Sequence, residues 1–157
     1  MSEQEVTMQK PMFTVYRLPL VQAFLLPGVI YDCRTIKPGV PFAVTGENPD
    51  LYFPDGIYRC ISDMYWGGDG PGGKEDYPTY KILVPGRDQI KFHKLNDPKT
   101  QSLGCPGIAE FFGETLGRTV IGDSKGGFME FMARAKDCNE FFTEFITAFS
   151  HDPIPDR

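Results

Sequence analysis

Seventeen glycines and fourteen prolines punctuate this chain of 157 residues, and that density limits what it can become. Glycine and proline end regular elements and supply turns, so the chain is expected to build many short pieces joined by turns, not a helical bundle. The apolar share of 41% and charged share of 24% are those of a globular domain, neither disordered nor fibrous. At this length one domain is expected, spanning residues 11–150 between flexible tails at 1–10 and 151–157. The first tail is polar and ends before Pro11. The second, HDPIPDR, carries two prolines.

The first half reads as strands. Phe13 to Leu18 is rich in β-branched and aromatic residues. Val21–Leu26 and Val29–Ile36 flank Pro27-Gly28, which reads as a hairpin turn. Gly56 to Trp66, Tyr80 to Val84 and Gln89 to His93 follow, with Ile90 and Phe92 sharing one face of the last and Lys91 and His93 the other. The period then changes. Phe128, Phe131, Met132 and Ala135 fall at helical spacing behind a cap at Asp123 or Ser124. Phe141, Phe142, Phe145, Ile146 and Phe149 suggest a second helix, with Asp137 and Glu140 as its capping box. The expected class is α+β: a strand-rich body, as a twisted antiparallel or mixed sheet or a small barrel-like sandwich, then one or two C-terminal amphipathic helices.

A net charge of -5 argues against nucleic acid, because phosphates must be neutralised by a basic face. No apolar run approaches a membrane span, and MSEQEVTMQK lacks the basic start and apolar core of a secretory signal, so synthesis in a cytoplasm is expected. Cys33, Cys60, Cys105 and Cys138 are too few and scattered for a disulfide framework and read as thiols. No cofactor is called for, and oligomeric state is left open. Gly68-Asp69-Gly70-Pro71-Gly72-Gly73 matches a dinucleotide string. The residues after it do not open a helix, and Glu75 stands where a phosphate loop needs Ser or Thr, so a flexible loop, with a lid over a site left open, is the better reading. Gly122-Asp123-Ser124 suggests a serine nucleophile, but an inserted Lys125 breaks that pattern and a helix cap accounts for both polar residues.

The segment with the most chemistry runs from Ile90 to Ile108. His93, the only histidine of the folded body, ends a strand. A turn-rich loop then leads to Gly104-Cys105-Pro106. Proline suits the first position of a helix, so Ile108 to Phe112 is expected to form a turn or two with Cys105 at its N-cap. There the helix dipole would lower the thiol pKa, and His93 across the loop would accept its proton. Gly104 would allow close approach, and N–H groups near Gly104 and Cys105 would form an oxyanion hole. The alternative is a small buried cysteine and a satisfied histidine. For Cys33, Cys60 and Cys138 the core reading is preferred. A metal site on His93 and Cys105 has too few ligands for zinc unless Asp97 or Asp123 folds close.

This segment resembles the active-site motif of L,D-transpeptidase catalytic domains, through His93 and Ser102-Leu103-Gly104-Cys105. It departs from that motif at Leu103, where a second His is usual, and at Pro106. The chain is also similar to a family of small domains of phage and prophage genomes found near lysis genes. Ile90, His93, Asn96, Gly104-Cys105 and the Ser124–Ala135 helix carry that likeness, and Leu95 departs from it. The resemblance implies cysteine-dependent acyl transfer or hydrolysis on peptidoglycan stem peptides. Cys105 would attack, His93 would handle the proton, Gly104 would line the hole, and the Lys94 carbonyl or Asn96 would orient the imidazole. Ser102, Trp66 and Gly70 would contact substrate. The implied partners are a peptidoglycan peptide or another phage or host protein, in a virion or in a periplasm opened by lysis. A non-catalytic virion or lysis-associated binding or structural module with a decayed site is the alternative.

Overall fold

The computed structural model describes residues 10–19, 25–35, 39–65, 76–94, 104–115 and 118–148, with side chains outside that description at 113–115 and 118–120. Strands β1 (Phe13–Arg17), β2 (Leu26–Asp32), β3 (Ala43–Glu47), β4 (Gly56–Tyr65), β5 (Tyr77–Ile82) and β6 (Gly107–Ala109) precede a hairpin of β7 (Phe111–Thr115) and β8 (Arg118–Gly122). Helix α1 (Ser124–Arg134) and strand β9 (Glu140–Thr147) follow. Seven strands form one sheet in the order β5-β4-β9-β1-β2-β3-β6, and β7 and β8 pair separately. Among the described residues no helix is long and apolar enough to cross a membrane.

The expected second C-terminal helix is a correction. Phe141 to Thr147 is strand, lying between β1 and β4, parallel to β1 and antiparallel to β4. The same residues carry a period of two. Phe141, Thr143 and Phe145 are buried, while Glu140, Phe142 and Glu144 are not. Alternation of this kind, with aromatic and β-branched residues, suits a central strand. Asp137 takes a left-handed backbone (φ 68°) in the turn before the strand, so it opens no helix. The described residues therefore hold a strand-dominated fold with one helix, not a β body with helices appended.

Pro27 and Gly28 are a second correction: both lie within β2, not in a turn. A Cβ on Gly28 would run into the Thr45 hydroxyl and lie 2.8 Å from the Tyr16 carbonyl oxygen. The glycine serves close strand packing, one of the uses of glycine inside a sheet.

The sheet curls until its edges meet. Residues 90–93 lie between β5 and β6. On one side Ile82 N donates to Ile90 O (2.7 Å) and Phe92 N to Tyr80 O (3.2 Å). On the other, His93 N donates to Pro106 O (2.9 Å) and Ile108 N to His93 O (3.1 Å). This seam satisfies backbone groups that an open edge would leave exposed. Helix α1 packs over the concave face. Asp123 caps it by accepting from Gly126 N at 3.0 Å. Phe131, fully buried, meets Phe92 at 4.6 Å and Phe13 at 5.3 Å between ring centroids. Gly127 brings the helix onto β6, where a Cβ would collide with the Ala109 backbone.

Candidate functional site

The seam places the expected site residues. The backbone of His93 pairs with Pro106 and Ile108, which brings the Lys91–His93 strip beside the Cys105–Gly107 strip. Cys105 does not cap a helix. It leads into β6, and Ile108 to Phe112 is strand apart from Glu110. The proline after it fits because its carbonyl accepts at the seam while no N–H is required there.

The Cys105 thiol is 8% exposed. Its sulfur accepts from Lys91 N and donates to Gln89 O, both at 3.4 Å. Burial pushes the thiol pKa up, against the pull of the Lys91 N–H and the Lys91 and Arg87 charges. The helix-dipole effect expected from the sequence is replaced by desolvation, which acts in the opposite direction. Gly104 has φ 123°, and a Cβ there would meet the Arg87 guanidinium and lie 2.8 Å from Leu51 O. Its permissive backbone is used to pass beneath an arginine that itself donates to Leu51 O at 2.6 Å.

His93 is half-buried, and its pKa is pushed down to about 4 by burial, with the Lys91 charge adding to the effect. The ring packs edge-on against Tyr65 at 4.4 Å between centroids. No hydrogen bond joins the imidazole to the Cys105 sulfur among the described residues. At neutral pH both groups are uncharged, so they do not form a thiolate–imidazolium pair. Lys91, expected to share a face with His93, is 5% exposed; its ammonium donates to Met64 O at 2.7 Å and lies 3.3 Å from Asp63. Asn96, Ser102, Trp66 and Gly70 lie outside the described residues. Also among the described residues, no group of three His, Cys, Asp or Glu side chains is placed to hold a metal ion.

Beside His93 lies a feature that the motif reading passed over. Tyr65 stacks on Tyr77 at 4.7 Å, and Phe128 of α1 meets Tyr77 edge-on at 5.3 Å. Lys94 places its ammonium 4.2 Å from the centre of the Tyr77 ring, and its backbone N–H donates to the Tyr77 hydroxyl at 3.2 Å. Burial raises the Tyr77 phenol to about 12, so it stays protonated. Tyr77, Phe128, Met129 and Met132 line an open groove of about 280 Å³ between β5 and α1, with Lys94 and Lys125 on its walls. A neighbouring hollow shares Pro78 and Met132 and runs on past Thr79 to Ser62 and Asp63. The sequence held a signal for this groove. Lys125, Met129 and Met132 recur at i, i+4 and i+7 on α1, a stripe next to the core stripe of Phe128 and Phe131. Met129 is 59% exposed, which marks an apolar residue not used for the core.

The arrangement therefore offers two chemistries, a buried neutral thiol near a neutral imidazole and an open aromatic groove with two ammonium groups. Neither can be assigned by kinship, since no family model, curated protein or solved structure matches the chain.

Proposed function

We propose that this chain is a non-catalytic binding module whose ligand sits in the groove between β5 and α1. The observation that carries this reading is the state of Cys105: the sulfur is buried and held between two backbone groups, with the imidazole engaged elsewhere. A thiol nucleophile needs thiolate character and access, and this one has neither in the folded chain. The groove supplies what a binding surface needs: accessible aromatic and thioether area beside a few fixed charges.

The test is site-resolved alkylation and acylation. The folded protein is treated with iodoacetamide, or with a carbapenem, and each of the four cysteines is followed by peptide mass. Cys105 is expected to stay unmodified until the chain is unfolded, while the half-buried Cys33 and Cys138 react sooner. A carbapenem adduct on Cys105 of the folded protein would instead favour cysteine acyl transfer on peptidoglycan stem peptides and would overturn the module.

A further inference from the structure

The geometry points to an acidic peptide, extended and carrying an apolar side chain, as the occupant of the groove between β5 and α1. This deepens the binding-module reading and rests on it. Size comes first. The first hollow, of about 280 Å³, has room for one or two apolar side chains. Shape comes second. The adjoining hollow shares Pro78 and Met132, so the two make an elongated track, which suits a chain rather than a compact ligand. Lining comes third. Tyr77 and Phe128 give rigid aromatic walls, while Met129 and Met132 are flexible thioethers that adapt to different side chains.

Charge decides the ligand class. Among the described residues, the charged ones on the walls of the first hollow are Lys94 and Lys125, with no carboxylate beside them there. Neither ammonium is in an ion pair among the described residues. Asp123 feels the Lys125 charge, but its carboxylate is also engaged with Gly126 N and hydrogen-bonded to Glu110. Lys94 is thus the stronger selector and Lys125 the weaker. The second hollow carries Asp63, already close to Lys91, so the track is positive at one end only. An acidic segment would lie at the Lys94 end with its apolar side chain against Tyr77 and Met129. This local sign stands out on a chain whose net charge is -5.

The experiment uses the full chain with isotope-labelled methionine methyls, Met129 and Met132 being the reporters. Three synthetic hexapeptides are titrated, each with two central leucines flanked by glutamates, by glutamines or by lysines. The glutamate peptide is expected to shift both methyls. Its affinity is expected to fall about tenfold in Lys94→Gln and by less in Lys125→Gln, and to weaken with added salt. Both lysines are exposed, and an unchanged circular dichroism spectrum checks that the variants fold. Equal shifts with the glutamine peptide, a preference for the lysine peptide, or no shift with any of them overturns the acidic ligand. So do methyl shifts that follow protein concentration alone, which would make the occupant a second copy. These outcomes leave the module itself to the thiol experiment, where an adduct on Cys105 would sink that reading whatever the peptides do.

Discussion

Arg17 keeps its charge entirely inside the molecule, whereas Lys94 and Lys125 turn theirs to solvent beside an apolar groove. The Arg17 guanidinium is fully buried and donates to both Glu47 carboxylate oxygens, at 2.9 and 2.8 Å, and to Asp55 at 2.9 Å. It also lies within 5 Å of the ring centres of Tyr52 (4.9 Å), Phe53 (4.8 Å) and Phe145 (4.9 Å). Burial pushes the Glu47 carboxyl up against the pull of Arg17, while for Arg17 the two carboxylates outweigh burial and hold its pKa above the usual value. The two-pronged geometry, which uses both Glu47 oxygens as acceptors, favours the ion pair. Near Lys94 the counterpart is a tyrosine face, and no carboxylate among the described residues is paired with it. A buried charge held by carboxylates of its own chain supports the fold; a charge facing an apolar groove without an ion-pair partner among the described residues is available to a ligand.

The sharpest way to break this contrast is to remove a partner from the buried side. Glu47→Ala leaves the buried guanidinium with the half-exposed Asp55 as its remaining ionic partner and is expected to cost about 3–5 kcal/mol in urea unfolding. Replacing Arg17 and Glu47 together by methionine is expected to cost much less than the two single losses added. A cost below about 1 kcal/mol for Glu47→Ala would mean that the pair contributes no more than a surface bridge such as Arg59–Glu140.

Acid gives the next largest effect. His93 titrates near 6.5 when unfolded and at about 4 when folded, so between these values the unfolded chain binds more protons. Stability from this group is complete above about pH 6.5 and is lost as pH falls toward 4. The loss is at most about 3 kcal/mol, lessened by the partial exposure of the ring. Urea midpoints measured across that window should rise with pH, and His93→Phe should flatten the slope. An unchanged slope in the variant would show that another group titrates there.

Gly127→Ala acts on the groove side, because the new methyl must push α1 away from the Ala109 backbone. The expected cost is about 1–3 kcal/mol, with the Met129 and Met132 methyl signals displaced as the groove widens. The smallest effect belongs to the groove charges. Lys94→Gln and Lys125→Gln should each change stability by less than about 0.5 kcal/mol. A larger loss would move these lysines to the structural side of the comparison.

Much of the framework was legible along the chain. Phe13 to Arg17 is a strand dominated by aromatic and β-branched residues, Gly56 to Tyr65 carries Ile57, Tyr58, Ile61 and Tyr65 behind its entry turn, and α1 starts where Asp123 offers its carboxylate. The misreadings share one cause. Phe141, Phe142, Phe145 and Ile146 fit both a helical stripe and an alternating strand. The tie is broken by β1 and β4, whose edges β9 fills, and by Thr143, which accepts a place in the core with the Cys60 thiol as its hydrogen-bond partner. Pro27-Gly28 looks like a turn until Thr45 and Tyr16 are seen to crowd the glycine. The candidate site was half legible. His93 and Cys105 were singled out and do lie on adjacent strips of the seam, yet the burial of the thiol, the packing of the ring on Tyr65 and the groove beside Tyr77 arise from contacts between residues distant in sequence.

Composition and local pattern were enough to show that this chain makes short strands and a helix behind Asp123, because those outcomes depend on neighbours a few residues away; the number of helices was not among them. Whether a cysteine is exposed or sealed, an imidazole charged or neutral, a lysine paired or open, depends on the dielectric and the partners around it. These exist only once the sheet has curled and Ile90 to His93 has joined its edges.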